Sequence, residues 1–88
     1  MNEYTPEEIM EIIVKRISVK ANLPVSAISV DENMVNYDLD SIETVGLIGE
    51  IETIMEFEFD VSKAWEYPTI RTLAHFIFEE FSAGKKNI

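Results

Sequence analysis

Apolar residues recur three and four positions apart in three separate stretches of this chain. Ile9, Ile12, Ile13 and Ile17 form the first series. Thr44, Leu47, Ile48, Ile51, Ile54 and Met55 form the second. Ile70, Leu73, Ala74, Ile77, Phe78 and Phe81 form the third. At 3.6 residues per turn each series falls on one face of a helix. Helices with one apolar stripe apiece must bury those stripes against one another, so the expected fold class is all-α. The only segment that alternates like a strand is Glu56-Phe57-Glu58-Phe59-Asp60. A strand without a partner is not a sheet, and this segment reads as a loop that buries its aromatic rings.

Local signals set the element ends. Thr5-Pro6-Glu7-Glu8 is a capping box with Pro at the first helical position, so the first helix starts there and runs to about Ala21. Lys15, Arg16 and Lys20 suit the negative end of its dipole. Residues 22–40 form a long connection, pinned to the core by Leu23, Ile28, Val30, Met34, Val35 and Leu39; loops of that length in small domains are usually functional. The second helix begins at Asp40-Ser41 and ends near Glu56. Asp60 caps a short helix over Val61–Glu66, which Tyr67-Pro68 stops. Thr69 caps the last helix, and Gly84 reads as its C-terminal stop. The sum is a small four-helix bundle, three main helices plus one short helix, with a long first loop. At 88 residues the chain makes one domain, spanning 1–88.

Charge narrows the function. The chain holds 17 Asp and Glu against 7 Lys and Arg, for a formal charge of −10. That excess argues against nucleic acid, which needs clustered bases, and against anionic membrane. It favours basic protein partners. The excess is local: between Ala21 and Ser62 there is no Lys or Arg, while Asp31, Glu32, Asp38, Asp40, Glu43, Glu50, Glu52, Glu56, Glu58 and Asp60 all lie there. No cysteine is present, which removes disulfides and thiol nucleophiles. The first residues lack the pattern of a signal peptide, and no apolar run is long enough to span a membrane. A cytoplasmic monomer is the expectation.

Catalytic constellations are missing. His75, the one histidine, points away from the apolar stripe of the last helix and reads as a surface residue. No Ser–His–acid relay can be assembled around it. A calcium loop starting at Asp31 fails at Val35, at Asn36 in place of the turn glycine, and at Ile42 where a bidentate Glu belongs. No metal site is expected, and the chain reads as a non-enzyme. One local feature remains, Asp40-Ser41-Ile42 at the start of an acidic helix. Read plainly, Asp40 is an N-cap. A phosphate on Ser41 would also lie beside the free backbone N–H groups and the positive end of the helix dipole. The face opposite the core stripe carries Ile42, Gly46, Gly49 and Thr53, flanked by acids. Two interior glycines cost a helix roughly 1 kcal/mol each relative to Ala, which reads either as drift or tolerated strain or as a surface that a partner approaches closely.

These residues resemble those of the acyl carrier proteins. Leu39-Asp40-Ser41-Ile42 matches the family's attachment motif, and Trp65-Glu66-Tyr67-Pro68-Thr69-Ile70 with Leu73-Ala74 is similar to the closing segment of polyketide-synthase carriers. The resemblance covers nearly the whole chain. It departs at Asp38, where the family usually has glycine; Asp is among the few other residues that tolerate left-handed backbone. The resemblance implies that Ser41 is esterified by a phosphopantetheinyl transferase with 4′-phosphopantetheine from coenzyme A, with Asp40 helping to position the metal ion of that transfer. It implies that Ile42, Glu43, Val45, Gly46, Gly49, Glu50, Glu52 and Glu56 dock the transferase, a ketosynthase, and an acyltransferase or acyl-ligase. The acyl chain would lie in a cleft lined by residues such as Leu47, Ile51 and Phe76. Aminoacyl or peptidyl cargo is the alternative, as is an acidic helical module in which Asp40-Ser41 is only a cap.

Overall fold

The computed structural model describes residues 4–86, with the side chains of Ser41, Val61, Ala64, Trp65, Lys85 and Lys86 excepted. Three α-helices account for most of it: α1 (Pro6–Ala21), α2 (Ser41–Met55) and α3 (Ile70–Lys86). The expected short helix over Val61–Glu66 is present as a 3-10 helix, and two further 3-10 turns, Val25–Ala27 and Met34–Tyr37, punctuate the long connection. No strand forms among the described residues; Asn33 and Thr69 make an isolated antiparallel bridge. Among the described residues no helix is long and apolar enough to cross a membrane.

Each helix starts for the reason its sequence gives. The Thr5 hydroxyl accepts from the Glu8 N–H at 3.1 Å and the Glu8 carboxylate accepts from the Thr5 N–H at 2.9 Å, the reciprocal pair of a capping box. Asp40 caps α2 by accepting from the Glu43 N–H at 2.9 Å. Thr69 caps α3, its hydroxyl accepting from the Thr72 N–H at 3.2 Å. Asp60 Oδ1 accepts from the Ser62 N–H at the start of the 3-10 helix.

The three stripes meet in one core. Ile9, Ile13 and Ile17 of α1, Leu47, Ile48 and Ile51 of α2, and Ile70, Leu73 and Ile77 of α3 are fully buried. Ile12, Ile54 and Phe78, at the edges of their stripes, are only partly covered. The connection is pinned less completely than its apolar residues suggest. Met34 and Leu39 are buried and Ile28 and Val30 half-buried, but Leu23 and Val35 stay exposed. Backbone bonds hold the connection to α3 and the residues just before it: Met34 N–H donates to Pro68 O at 2.8 Å and Arg71 N–H to Val30 O at 2.9 Å. A bidentate Arg71–Asp31 ion pair, at 2.7 and 3.3 Å, adds to them. The Glu56–Asp60 segment is a loop that buries Phe59 and packs the Phe57 ring against Phe59 and Phe81.

Gly84 departs from its expected role. It does not stop α3, which continues to Lys86. The Phe57 ring lies where a Cβ on Gly84 would be, so this glycine is needed for close packing rather than for a turn.

Candidate attachment site at the start of the second helix

Ser41 is the first residue of α2, directly after the Asp40 cap; the side-chain part of its assignment falls outside the described residues. The backbone leading into it is set by Asp38, at φ 64° and ψ 23°. This is the left-handed region, which glycine enters freely and Asp more readily than most residues. Met34–Tyr37 and Asp38 together turn the chain, with the Leu39 N–H bonded back to Met34 O and Leu39 buried. Buried Leu39 and exposed Asp40 then orient the start of α2.

The first turn of α2 is open to solvent. Asp40 and Glu43 are exposed, and Ile42 is 80% exposed. Such a helix start suits a phosphodiester, because backbone N–H groups and the positive end of the dipole lie there. One oxygen of the Asp40 carboxylate is engaged by the Glu43 N–H, so this residue has the structural role that its type and position favour.

The outward face of α2 combines Ile42, Val45, Gly46 and Gly49. Val45 is 39% exposed. A Cβ added at Gly46 or at Gly49 would meet nothing within 4 Å. Neither glycine is therefore explained by packing inside the chain, in contrast to Gly84.

The four acids assigned to this face divide into two pairs. Glu43 and Glu56 have exposed side chains; Glu56 also ends α2 in left-handed backbone at φ 55°. The other two carboxylates have internal partners. Glu50 bonds Lys20 Nζ at 3.1 Å and faces Arg16 Nε at 3.8 Å, which ties α2 to α1. Its Oε1 is buried and takes no hydrogen bond. Glu52 accepts from the Phe59 N–H at 2.8 Å and holds the loop that follows the helix. Sequence reasoning offers no signal for either contact, because the partners of Glu50 lie 30 and 34 residues away. Nor does it single out Val35, which it assigns to the core. Val35 is 61% exposed in the turn six residues before Ser41, and it adds an apolar side chain to the surface leading into the site.

Of the residues expected to line an acyl cleft, Leu47 and Ile51 are fully buried, and Phe76, 6% exposed, lines a surface pocket of about 390 Å³ together with Tyr67 and His75.

Comparison with known proteins agrees with this geometry. Residues 8–77 match the family model described as phosphopantetheine attachment site. The chain is 27% identical over 75 residues to the 5-methyl-1-naphthoate synthase of Streptomyces sahachiroi; that stretch is 85% of this chain but 4% of the synthase. Among solved structures, a free-standing peptidyl carrier protein from a secondary metabolic pathway of Acinetobacter baumannii superimposes with a TM-score of 0.75 at 26% identity, covering 86% of this chain and 95% of that one. The HMG-ACPI domain of the CurA module from Lyngbya majuscula gives 0.76 at 25% identity, covering 96% and 86%. The three-helix fold with its open second-helix start and the family match over residues 8–77 lead to one conclusion: this chain belongs to the phosphopantetheine-attachment family of carrier proteins, whose prosthetic group is a covalently attached 4′-phosphopantetheine.

Proposed function

We propose that this chain is an acyl carrier protein of polyketide or specialised fatty-acid biosynthesis, acting in the cytoplasm as a monomer and catalysing nothing itself. Its arm is attached to Ser41, and the arm's thiol holds each acyl intermediate as a thioester. The observation that carries the reading is the outward face of α2. Along the helix that begins at Ser41 it carries an exposed isoleucine and two glycines whose missing Cβ atoms relieve no contact inside the chain. Such a face is explained by something that approaches from outside.

Partners approach along this face. Ile42 and Val45 supply apolar contact, Gly46 and Gly49 allow a close approach, and Glu43 and Glu56 steer basic surfaces, chiefly through encounter rate and orientation. Phosphopantetheinyl transferase, ketosynthase, and acyltransferase or acyl-ligase are the partners this chemistry serves. Glu50 and Glu52 contribute less, because their carboxylates already hold the fold together. Similarity to a naphthoate synthase supports the polyketide setting. Similarity to a peptidyl carrier supports the second reading, in which the cargo is an aminoacyl or peptidyl group.

Incubation of the apo-protein with coenzyme A and a phosphopantetheinyl transferase is expected to add one phosphopantetheine to the intact mass, and Ser41→Ala to take up none. Modification of the Ser41→Ala variant would refute the assignment. Loading with acyl against aminoacyl donors separates the two cargoes.

A further inference from the structure

We infer that the hollow between α1 and the C-terminal part of α2 is a second docking site, which takes an acidic amphipathic helix of a partner protein. It is separate from the attachment face, and the inference goes beyond the carrier reading. The charge pattern points to it first. Residues 12–30 form the longest stretch of the chain without an acid, and they hold Lys15, Arg16 and Lys20. In a chain of net charge −10 this is a local reversal of sign. The helix dipole accounts for Lys20, which lies in the last turn of α1. That effect fades within a turn, so it leaves Lys15 and Arg16 without a reason.

These bases border an apolar floor. Ile12, Lys15, Arg16 and Val19 of α1, with Ile54 of α2, line a hollow of about 300 Å³. No acid lines it among the described residues. The four α1 residues are three and four positions apart and share one face of the helix. Ile12 and Ile54 are only partly covered, and Val19 is 81% exposed, as open as Ile42 at the start of α2. Glu50 offsets only part of the charge. It hydrogen-bonds Lys20 Nζ at 3.1 Å but stands 3.8 Å from Arg16 Nε, beyond hydrogen-bond distance. Lys15 has no ion-pair partner among the described residues.

Shape and chemistry select the occupant. The hollow lies between two antiparallel helices, since Ile12 shares it with Ile54 while Arg16 and Lys20 meet Glu50. A third helix laid in such a groove sets one apolar side chain on the floor, and acids one turn before and after it meet Lys15 and Arg16. A phosphate backbone offers no apolar group for the floor. One exposed valine is too little apolar area to hold an anionic bilayer against the repulsion of the remaining acids. A second copy of the chain would have to bring its own acidic α2 face, which the partners of Ser41 need. Ile54 lies 13 residues beyond Ser41, roughly 20 Å along α2. On the carrier reading, a partner seated in the hollow retains the chain while the arm stays free to exchange between enzymes.

The test titrates the full chain with a synthetic helical peptide of about 18 residues, five turns, that presents one leucine between glutamates. Methyl NMR reads position and affinity. The methyls of Ile12, Val19 and Ile54 are expected to shift and those of Ile42 and Val45 to stay in place, with affinity falling as salt rises. Val19→Gln and Lys15→Glu, both at open positions, are each expected to weaken binding roughly tenfold, with no loss of melting temperature and with the rate of arm attachment at Ser41 unchanged. Shifts centred on Ile42 and Val45, or no shifts, would overturn the inference. So would equal binding by a peptide with lysines in place of the glutamates, or by one with serine in place of the leucine. The same methyl shifts on concentrating the chain alone would make the occupant a second copy, and shifts with phosphatidylglycerol vesicles as strong as with the peptide would make it a membrane; either result overturns the inference. The peptide needs no arm, so a chain that takes up no phosphopantetheine would refute the carrier reading and leave the docking site standing.

Discussion

The three glycines illustrate how one residue type serves opposite ends. Gly46 and Gly49 lie in the middle of α2 with open space where a Cβ would be, whereas Gly84 lies in α3 against the Phe57 ring. Helix propensity alone favours alanine at all three positions by roughly 1 kcal/mol. Gly46→Ala and Gly49→Ala are therefore expected to raise unfolding free energy by about 0.5–1 kcal/mol each, while slowing arm attachment by the transferase. Gly84→Ala is expected to lower stability by about 1–3 kcal/mol, as overpacking does. Denaturant melts of the three variants check the signs, and attachment rates check the division of roles. Stabilisation by Gly84→Ala would mean that Phe57 moves aside easily. Asp38 shows a further use of local chemistry. The left-handed conformation anticipated there is the one observed, at φ 64°, because a short polar side chain tolerates backbone that branched residues avoid.

Helix α2 has two jobs, and its acids are divided between them. Glu50 reaches back to Lys20 and Arg16 of α1, and Glu52 holds the Phe59 backbone, so both carboxylates serve the fold. Glu43 and Glu56 are left exposed, and on the proposed reading they steer partners. This distinction predicts unequal charge reversals. Glu43→Lys is expected to reduce the rate of arm attachment roughly tenfold at low salt, an effect of lost electrostatic steering that fades as salt rises. Glu50→Lys is expected to act mainly on stability, since it sets a third cation beside Arg16 and Lys20. Attachment kinetics at two ionic strengths, with melts of each variant, decide the matter; equal rate effects from the two reversals would return Glu50 to the docking surface. The sequence shows four acids of one kind, three on α2 and one at its C-cap. Their separation depends on which of them α1 and the Phe57–Phe59 loop happen to meet.

Across the whole molecule, the long connection and α3 are joined near Val30–Met34 by backbone bonds and by the Asp31–Arg71 pair. The Arg71 guanidinium, hydrogen-bonded to Asp31, holds that carboxyl below its ordinary value of 3.8. A carboxyl depressed in the folded state adds stability above its unfolded value and loses it as pH falls through the folded one. The melting temperatures of the wild type and Asp31→Asn are therefore expected to differ slightly at neutral pH and to converge below pH 3.8, with the gap also narrowing in high salt. A gap that persists in acid would assign the effect to something other than the ion pair. By itself the sequence determined the three helices, their caps and the position of Ser41 at the start of the second, because capping and apolar spacing are local and are written within a few neighbouring residues. Only the tertiary structure decided that Leu23 and Val35 stay in solvent, that Gly84 makes room for Phe57 and that Glu50 is bound to α1. It also decided that Leu47 and Ile51 are fully buried while Phe76 reaches a surface pocket beside Tyr67. These outcomes depend on residues distant in the chain, and their meeting is set by how the three stripes pack, which no local pattern encodes.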